Sequence, residues 1–343
     1  MKNLIFIGPL QLGEIPHGGD TTKNRLFVDR FSKVFRKVYA VDTYKWKQRP
    51  LSAVKLLFYL FFVRKAKVIV SCETSAVKIL DFLYRFRIQN DVYYWVVGNG
   101  FVGRIKNGII PANHYSYLKA IYVQSPQMVE TLHEFGLNNA IYVPNSKPVY
   151  DIPIVKHDYS QTRFVFVARI LPEKGVENIF NCLKRLNAEG LSDKISMDFY
   201  GIVNTNYTTF QEHVNKTVNA RYNGLLNLTT IDGYKTLSSY DIMLFPTYYN
   251  GEGFPGVFID AFIAGLPVVT TDWHYNSEVI QDGKTGFIIP PKDDDRLYET
   301  IKWIINHREA IEPLRLNCKS ESKKYDREIV LGLPNLKKIG LLE

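Results

Sequence analysis

Short runs of apolar, largely β-branched residues alternate with helix-period segments almost from end to end of this chain. In the first half the runs fall at 3–8, 37–41, 67–71, 92–97, 120–124 and 140–143, and helical patterns lie near 21–35, 51–63, 74–88 and 125–135. A strand that is apolar on both faces has no solvent side, so such strands belong in a parallel sheet covered by helices above and below. Repeated βα units of this kind specify a doubly wound α/β domain.

The pattern lapses at 144–161, PNSKPVYDIPIVKHDYSQ, which reads as a linker. A second series follows, with strands at 163–169, 195–200, 226–230, 242–245, 267–270 and 286–289 and helices near 175–188, 256–264 and 293–306. At 343 residues, two domains that each bury their own core are the expected division. We expect a first Rossmann-like domain over 1–150, a second over 151–325, and a segment 326–343 that crosses back to the first. Two such domains face each other across a cleft between the carboxyl edges of their sheets, where ligands of doubly wound folds bind.

Composition bears on compartment and partners. An aromatic content of 14% without repeats excludes disordered and collagen-like chains. Cys72, Cys182 and Cys318 are far apart and form no CxxC, so neither a disulfide framework nor a zinc site is indicated. The apolar stretch from Leu4 to Gly8 is too short for the hydrophobic region of an export signal and reads as a first strand, and a cytoplasmic location is expected. The net charge of +9 is uneven: residues 1–151 hold 21 Lys+Arg and 10 Asp+Glu, the remainder 22 and 24. A basic half suits nucleic acid, an anionic bilayer surface or a phosphorylated substrate, and a solvated basic surface without a partner is the plainer alternative.

Within that half, SAVKLLFYLFFVRKAKVIV at 52–70 has an apolar core at 56–63, far short of the ~20 residues that span a bilayer. Lys55, Arg64, Lys65 and Lys67 flank Phe58, Tyr59, Phe61 and Phe62. Residues 51–67 read either as an interfacial helix on an anionic membrane or as a buried helix of an α/β layer.

The sharpest constellation is NGEGFPGVFIDAFIA at 250–264. Gly251, Gly253 and Gly256 around Pro255 let backbone approach a ligand, and the helix that starts near Gly256 turns its unpaired N–H groups towards an anion. Glu252 lies in the loop and Asp260 follows about two helical turns on, near the same helix face. Upstream, a strand ends in Arg169, and Lys174-Gly175 opens the next helix. Two cations on one loop can neutralise a diphosphate leaving group. Hydroxyl-binding carboxylates around an anion cradle describe a nucleotide-sugar, although a plain strand-turn-helix with a capping acid gives the same local pattern.

The Arg169 to Lys174 loop, Glu252-x7-Asp260, AFIAGLPVVTTD, NSEVI and DGKTGFIIP occur in one order across about 163–296. Together they resemble the donor domain of family 4 retaining glycosyltransferases, of the bacterial surface-polysaccharide type, with the GT-B fold. The resemblance implies that Arg169 and Lys174 hold the donor diphosphate, Glu252 contacts the transferred sugar, and Gly253, Phe254, Pro255 and Gly256 line the phosphate beside Gly251. Asp260 would bind the ribose, one methylene shorter than the family's usual Glu; Gly201 to Val203 and 231–234 would flank the base, and Glu278 would join the donor side. In the first domain Gly18, Gly19 and Asp20 match a family Gly-Gly loop that admits donor and acceptor, beside His17. The family's His after the fourth strand is missing here, its role either absent or taken by Asn99, and His114 is a further acceptor-side candidate.

The implied reaction is retaining transfer from a nucleoside diphosphate sugar, UDP favoured over GDP, to a hydroxyl of a lipid-linked glycan at the inner face of the cell membrane. Asp293-Asp294-Asp295 reads as a helix cap and not as a metal site, so no cofactor is expected. Alternatives are a noncatalytic nucleotide-sugar-binding subunit and a basic nucleic-acid-binding protein. A nicotinamide dehydrogenase is disfavoured because no GxGxxG follows the first strand of either domain, at 3–8 or at 163–169.

Overall fold

A computed structural model describes residues 2–13, 18–73, 75–86, 90–155 and 160–343. The chain divides into two compact units, Met1–Lys147 with Arg327–Glu343, and Pro148–Asp326.

The first unit runs β1 (Leu4–Gly8), α1 (Gly19–Ser32), β2 (Val38–Asp42), α2 (Pro50–Phe62), β3 (Lys67–Val70), α3 (Ala76–Arg85), β4 (Asp91–Trp95), α4 (Gly100–Lys106), β5 (Ala120–Val123), α5 (Pro126–Glu134) and β6 (Ala140–Tyr142). Its six strands are parallel in the order β2-β1-β3-β4-β5-β6, with Ile5 flanked by Tyr39 and Val68. β1, β3 and β5 are buried along their whole length, as strands covered on both faces must be. Phe27 of α1 meets Trp95 at 4.5 Å between ring centroids, and Trp95 meets Tyr122 at 4.7 Å. Each aromatic buried in this way contributes about 1.5–3 kcal/mol through lost apolar surface.

The second unit runs β7 (Thr162–Val167), α6 (Val176–Ala188), β8 (Ile195–Tyr200), α7 (Phe210–Lys216), β9 (Ala220–Tyr222), α8 (Ile231–Ser238), β10 (Ile242–Phe245), α9 (Gly256–Ala264), β11 (Val268–Thr271), α10 (Asn276–Val279), β12 (Gly286–Ile289), α11 (Asp294–Asn306) and α12 (Ile311–Ser322). Its sheet is also parallel, in the order β12-β11-β10-β7-β8-β9. The chain winds outward from β7 through β8 to β9, then returns beside β7 with β10 and winds the other way. The loops that leave β7 and β10 therefore diverge at a topological switch point, the crevice where doubly wound sheets bind ligands.

After the second unit the chain rejoins the first through α13 (Arg327–Val330) and α14 (Leu333–Lys338). Leu331, Leu336, Ile339 and Leu341 enter the first unit's core. The Tyr122 hydroxyl donates to the Ile339 carbonyl (3.0 Å), and Arg327 pairs with Asp29 of α1 (2.9 Å).

Two expectations are corrected. Residues 226–230 are not a strand: their apolar residues lead into α8, whose first turn is capped by the Thr230 hydroxyl accepting from the Gly233 N–H (3.2 Å). The sheet's edge is instead the three-residue β9, paired with β8. Lys67 is not a surface cation of the aromatic segment; it is buried in β3, where its Nζ donates to the Tyr93 hydroxyl (3.0 Å). The rest of that segment forms α2. Leu51, Val54, Leu57, Phe58, Phe61 and Phe62 are exposed, Leu51 at 77% and Phe62 at 73%, while Leu60 is buried. At 100° per residue these six occupy one arc of about 140°, with exposed Lys55 at its border and Arg64 and Lys65 just past its end. Among the described residues, no helix is long and apolar enough to cross a membrane.

Candidate active site

The β7 and β10 loops of the second unit bring the expected catalytic residues together. β7 ends at Val167, and the chain turns through Arg169 into a short 3-10 turn, Pro172–Lys174. Gly175 follows at φ 83°, and a Cβ there would lie 2.3 Å from the Pro246 carbonyl oxygen. Only glycine lets the two loops come this close. They are then tied by the Tyr248 N–H donating to the Glu173 carbonyl (2.8 Å). Gly201, at the end of β8, is equally obligatory: at φ 148° its Cβ would sit 1.7 Å from the Ala168 carbonyl oxygen.

Lys174 and Glu252 form a buried ion pair in which Lys174 Nζ donates to Glu252 Oε2. The Thr247 hydroxyl donates to the same oxygen (3.3 Å). Burial lowers the Lys174 pKa, the Glu252 carboxylate opposes that shift, and the Arg169 charge adds to it. Arg169 itself is exposed at the mouth of this arrangement. The pair thus holds one desolvated cation and one carboxylate beside a second cation, a set that can take a diphosphate and a sugar hydroxyl.

Gly253, Phe254 and Pro255 are buried, and Gly256 opens α9, whose cap residue Pro255 gives no side-chain hydrogen bond to the first turn. Asp260 lies buried in α9 and accepts from the Tyr234 hydroxyl (2.7 Å). Burial pushes the Tyr234 phenol well above 10, so it stays protonated and donates. Tyr234 is therefore committed to Asp260, while Ile231 at the start of α8 is exposed. Glu278 sits exposed on one-turn α10, beside Tyr275. The three acids at 293–295 each have an organic partner. Asp293 caps α11 by accepting from the Arg296 N–H (2.8 Å), Asp294 accepts from Asn181 (2.8 Å) and Asn178 (2.5 Å), and Asp295 pairs with Arg185 (2.5 Å).

Sequence reasoning missed three residues here. The Tyr249 ring lies under both cations, 5.5 Å from the Arg169 guanidinium and 5.0 Å from Lys174 Nζ, and a Cβ on Gly251 would strike that ring at 2.6 Å. Trp273 Nε1 donates to the Tyr249 carbonyl (3.0 Å). His274, at φ 51°, hydrogen bonds to the Asn250 backbone, and burial lowers its pKa. Adjacent aromatics in YYNGEG and DWHY were the available signal. If Tyr249 orients both cations through its ring face, Tyr249→Leu should lower kcat about tenfold, two cation–π contacts at about 0.7 kcal/mol each, while Tyr249→Phe should stay within about twofold. Steady-state kinetics on both variants checks this.

The acceptor-side candidates Asp20, Asn99 and His114, together with Gly18 and Gly19 expected on the donor side, belong to the first unit. Gly18, at φ 104°, precedes α1, and Gly18 and Gly19 are exposed; Asp20 accepts from the Thr21 N–H (2.8 Å). Asn99 precedes α4, at the carboxyl edge of the sheet. His17 lies outside the described residues. His114 is a correction: it follows α4, which carries the chain back to the amino edge, and packs on Tyr84 at the end of α3 (4.9 Å). It is thus on the opposite edge of the sheet from Asp20 and Asn99.

Comparison with known proteins places this geometry in a family. A capsular polysaccharide biosynthesis glycosyltransferase, CapM of Staphylococcus aureus, is 26% identical over 167 residues, which is 48% of this chain and 42% of that relative. The match thus spans less than half of that relative. Sucrose-phosphate synthase from Thermosynechococcus elongatus superimposes with a TM-score of 0.80 at 13% identity over 99% of both chains. HepE of Anabaena, solved with UDP and glucose, gives 0.73 at 12% over 100% of both. These likenesses establish the GT-B fold. The family model for group 1 glycosyl transferases matches residues 151–325, the unit that carries Arg169, Lys174 and Glu252, and the chain belongs to that family.

Proposed function

We propose that the protein is a retaining, family 4 glycosyltransferase that moves a sugar from a nucleoside diphosphate donor, a UDP-sugar in preference to a GDP-sugar, to a hydroxyl of a lipid-linked glycan. The observation that carries this reading is the buried Lys174–Glu252 pair beside Arg169 at the switch point of the second sheet. The diphosphate sits against the two cations and the first turn of α9, the sugar at Glu252, and the ribose towards Asp260. The cations stabilise the departing diphosphate, whose oxygen takes the acceptor proton on the face from which the acceptor attacks, so configuration is kept. The UDP in the HepE structure supports the choice of base. No metal enters, since the three acids at 293–295 are engaged by Arg296, Asn178, Asn181 and Arg185. Transfer should persist in EDTA. Incubating the protein with UDP- and GDP-sugars and polyprenyl-phosphate-linked acceptors, and reading the product's anomeric configuration by NMR, tests the reading. Inverted product contradicts the mechanism, and nucleotide binding without transfer favours the subunit alternative.

The acceptor's setting follows from α2. The first unit carries 24 Lys+Arg against 11 Asp+Glu, and its exposed apolar arc ends in Arg64 and Lys65. Such a helix lies in an anionic interface with its apolar face inserted and its cations among headgroups. At about 1 kcal/mol per basic residue near such a surface, replacing Lys55, Arg64 and Lys65 together with Gln should weaken binding to anionic vesicles about 100-fold. Phe61→Ser with Phe62→Ser should also weaken it, and added salt should oppose binding in the wild type. Vesicle sedimentation checks this, and unchanged partitioning of both variants contradicts it.

A further inference from the structure

The loop after β11 carries Asp272-Trp273-His274-Tyr275 at the carboxyl edge of the second sheet, beside the β10 loop that holds Glu252. The loop is closed on itself: the Trp273 N–H donates to the Thr271 carbonyl (2.8 Å) and the Asn276 N–H to the Trp273 carbonyl (3.1 Å). The Trp273 indole is fixed by its bond to the Tyr249 carbonyl (3.0 Å), and the His274 ring lies 4.8 Å from it between centroids. His274 stands at φ 51°, left-handed backbone that glycine adopts freely and a residue with a Cβ does not. Its ring is exposed. A side chain held in such a conformation at a sheet's ligand-binding edge points to a use for that side chain.

Two hydrogen-bond acceptors in these adjoining loops have no partner among the described residues. Lys174 and Thr247 both donate to Oε2 of Glu252, and nothing donates to its Oε1. One nitrogen of the His274 ring bonds to the Asn250 backbone; the bond favours the charged ring, so it runs to the carbonyl and that nitrogen bears the hydrogen. Burial still holds the ring below its ordinary value of about 6.5, so at neutral pH the other nitrogen is a bare acceptor. The Glu252 charge acts on the ring, so both acceptors border one space. We propose that His274 is a specificity-determining residue for the transferred sugar, its free ring nitrogen accepting from one sugar hydroxyl while Glu252 Oε1 accepts from another. The inference deepens the nucleotide-sugar transfer proposed above and rests on it. Two such acceptors select a sugar that offers two hydroxyl donors and reject one that lacks either, because the acceptor then faces no donor.

Calorimetric titration of UDP, UDP-glucose, UDP-galactose and UDP-N-acetylglucosamine into the wild type, His274→Gly and His274→Asn tests the proposal. His274→Gly holds the same backbone without strain and removes only the ring, so it should melt within a few degrees of the wild type. His274→Asn keeps a polar group on left-handed backbone that asparagine tolerates. The preferred UDP-sugar should bind the wild type more tightly than UDP. His274→Gly should leave the UDP constant within about twofold and weaken the preferred UDP-sugar by about fivefold, the size of one hydrogen bond; His274→Asn should fall between the two. Equal weakening of UDP and UDP-sugar in His274→Gly means that the ring only braces the β10 loop, and overturns the proposal, as does an unchanged UDP-sugar constant in both variants. A wild type that binds UDP and prefers no UDP-sugar to it overturns this inference alone. One that binds no UDP overturns the nucleotide-sugar reading, and this inference with it.

Discussion

Lys174→Ala should lower turnover by about 30- to 1,000-fold, the loss of about 2 to 4 kcal/mol seen when one preorganised charge-stabilising donor is removed. The expected size follows from the environment of the group. Lys174 is buried beside Phe245 and Tyr249, 5.1 and 5.0 Å from their ring centroids. A charge in such surroundings acts on a developing phosphate charge with little screening. Arg169 is exposed, and Arg169→Ala should cost less than Lys174→Ala because water can partly replace it. Lys174→Arg should not restore the rate, since the slot between Tyr249 and Glu252 fits a compact ammonium and not a planar fork. Single-turnover measurements with saturating donor separate this loss from weaker binding.

Glu252→Gln should destabilise the fold by about 3 to 5 kcal/mol, as breaking one side of a buried ion pair does, and should also depress transfer. Its carboxylate is what opposes the burial-driven fall of the Lys174 pKa. Without it, the lysine loses its proton in the folded state at lower pH, while in the unfolded chain it titrates near its ordinary value of about 10.4. Between those two values the unfolded state binds more protons, so the variant's stability should rise with pH, more steeply than the wild type's. Lys174→Met combined with Glu252→Gln should recover most of the lost stability and none of the activity. Denaturant titrations at pH 7 and pH 9 check both parts. Additive losses in the double variant would mean that the two residues are not coupled.

The fold was legible where the chain is buried on both faces. Leu4–Gly8 and Ile242–Phe245 announce themselves because nothing polar interrupts a strand with no solvent side. β9 was not legible: three residues of an edge strand, Ala220 to Tyr222, carry too little pattern, and the apolar residues at 226–230 imitated a strand next door. At the site, Arg169, Lys174, Glu252 and Asp260 could be read because each lies in a local motif with its own physical reason. Tyr249, Trp273 and His274 could not, because their contacts reach neighbours tens of residues away. Tyr249 lies against Arg169 across 80 residues, and Trp273 donates to the Tyr249 carbonyl across 24. Lys67 misled for the same reason: its basic neighbours in the chain look outward, while its own partner is Tyr93 of the adjacent strand.

The central claim is that a nucleoside diphosphate binds at the β7 and β10 loops through Arg169 and Lys174. Calorimetric titration of UDP into the wild type and into the Arg169→Ala, Lys174→Ala double variant tests it most directly. Saturable binding by the wild type and at least a 100-fold weaker constant in the double variant are expected, each protein's fold being checked by circular dichroism. UDP binding of equal strength in both would contradict it.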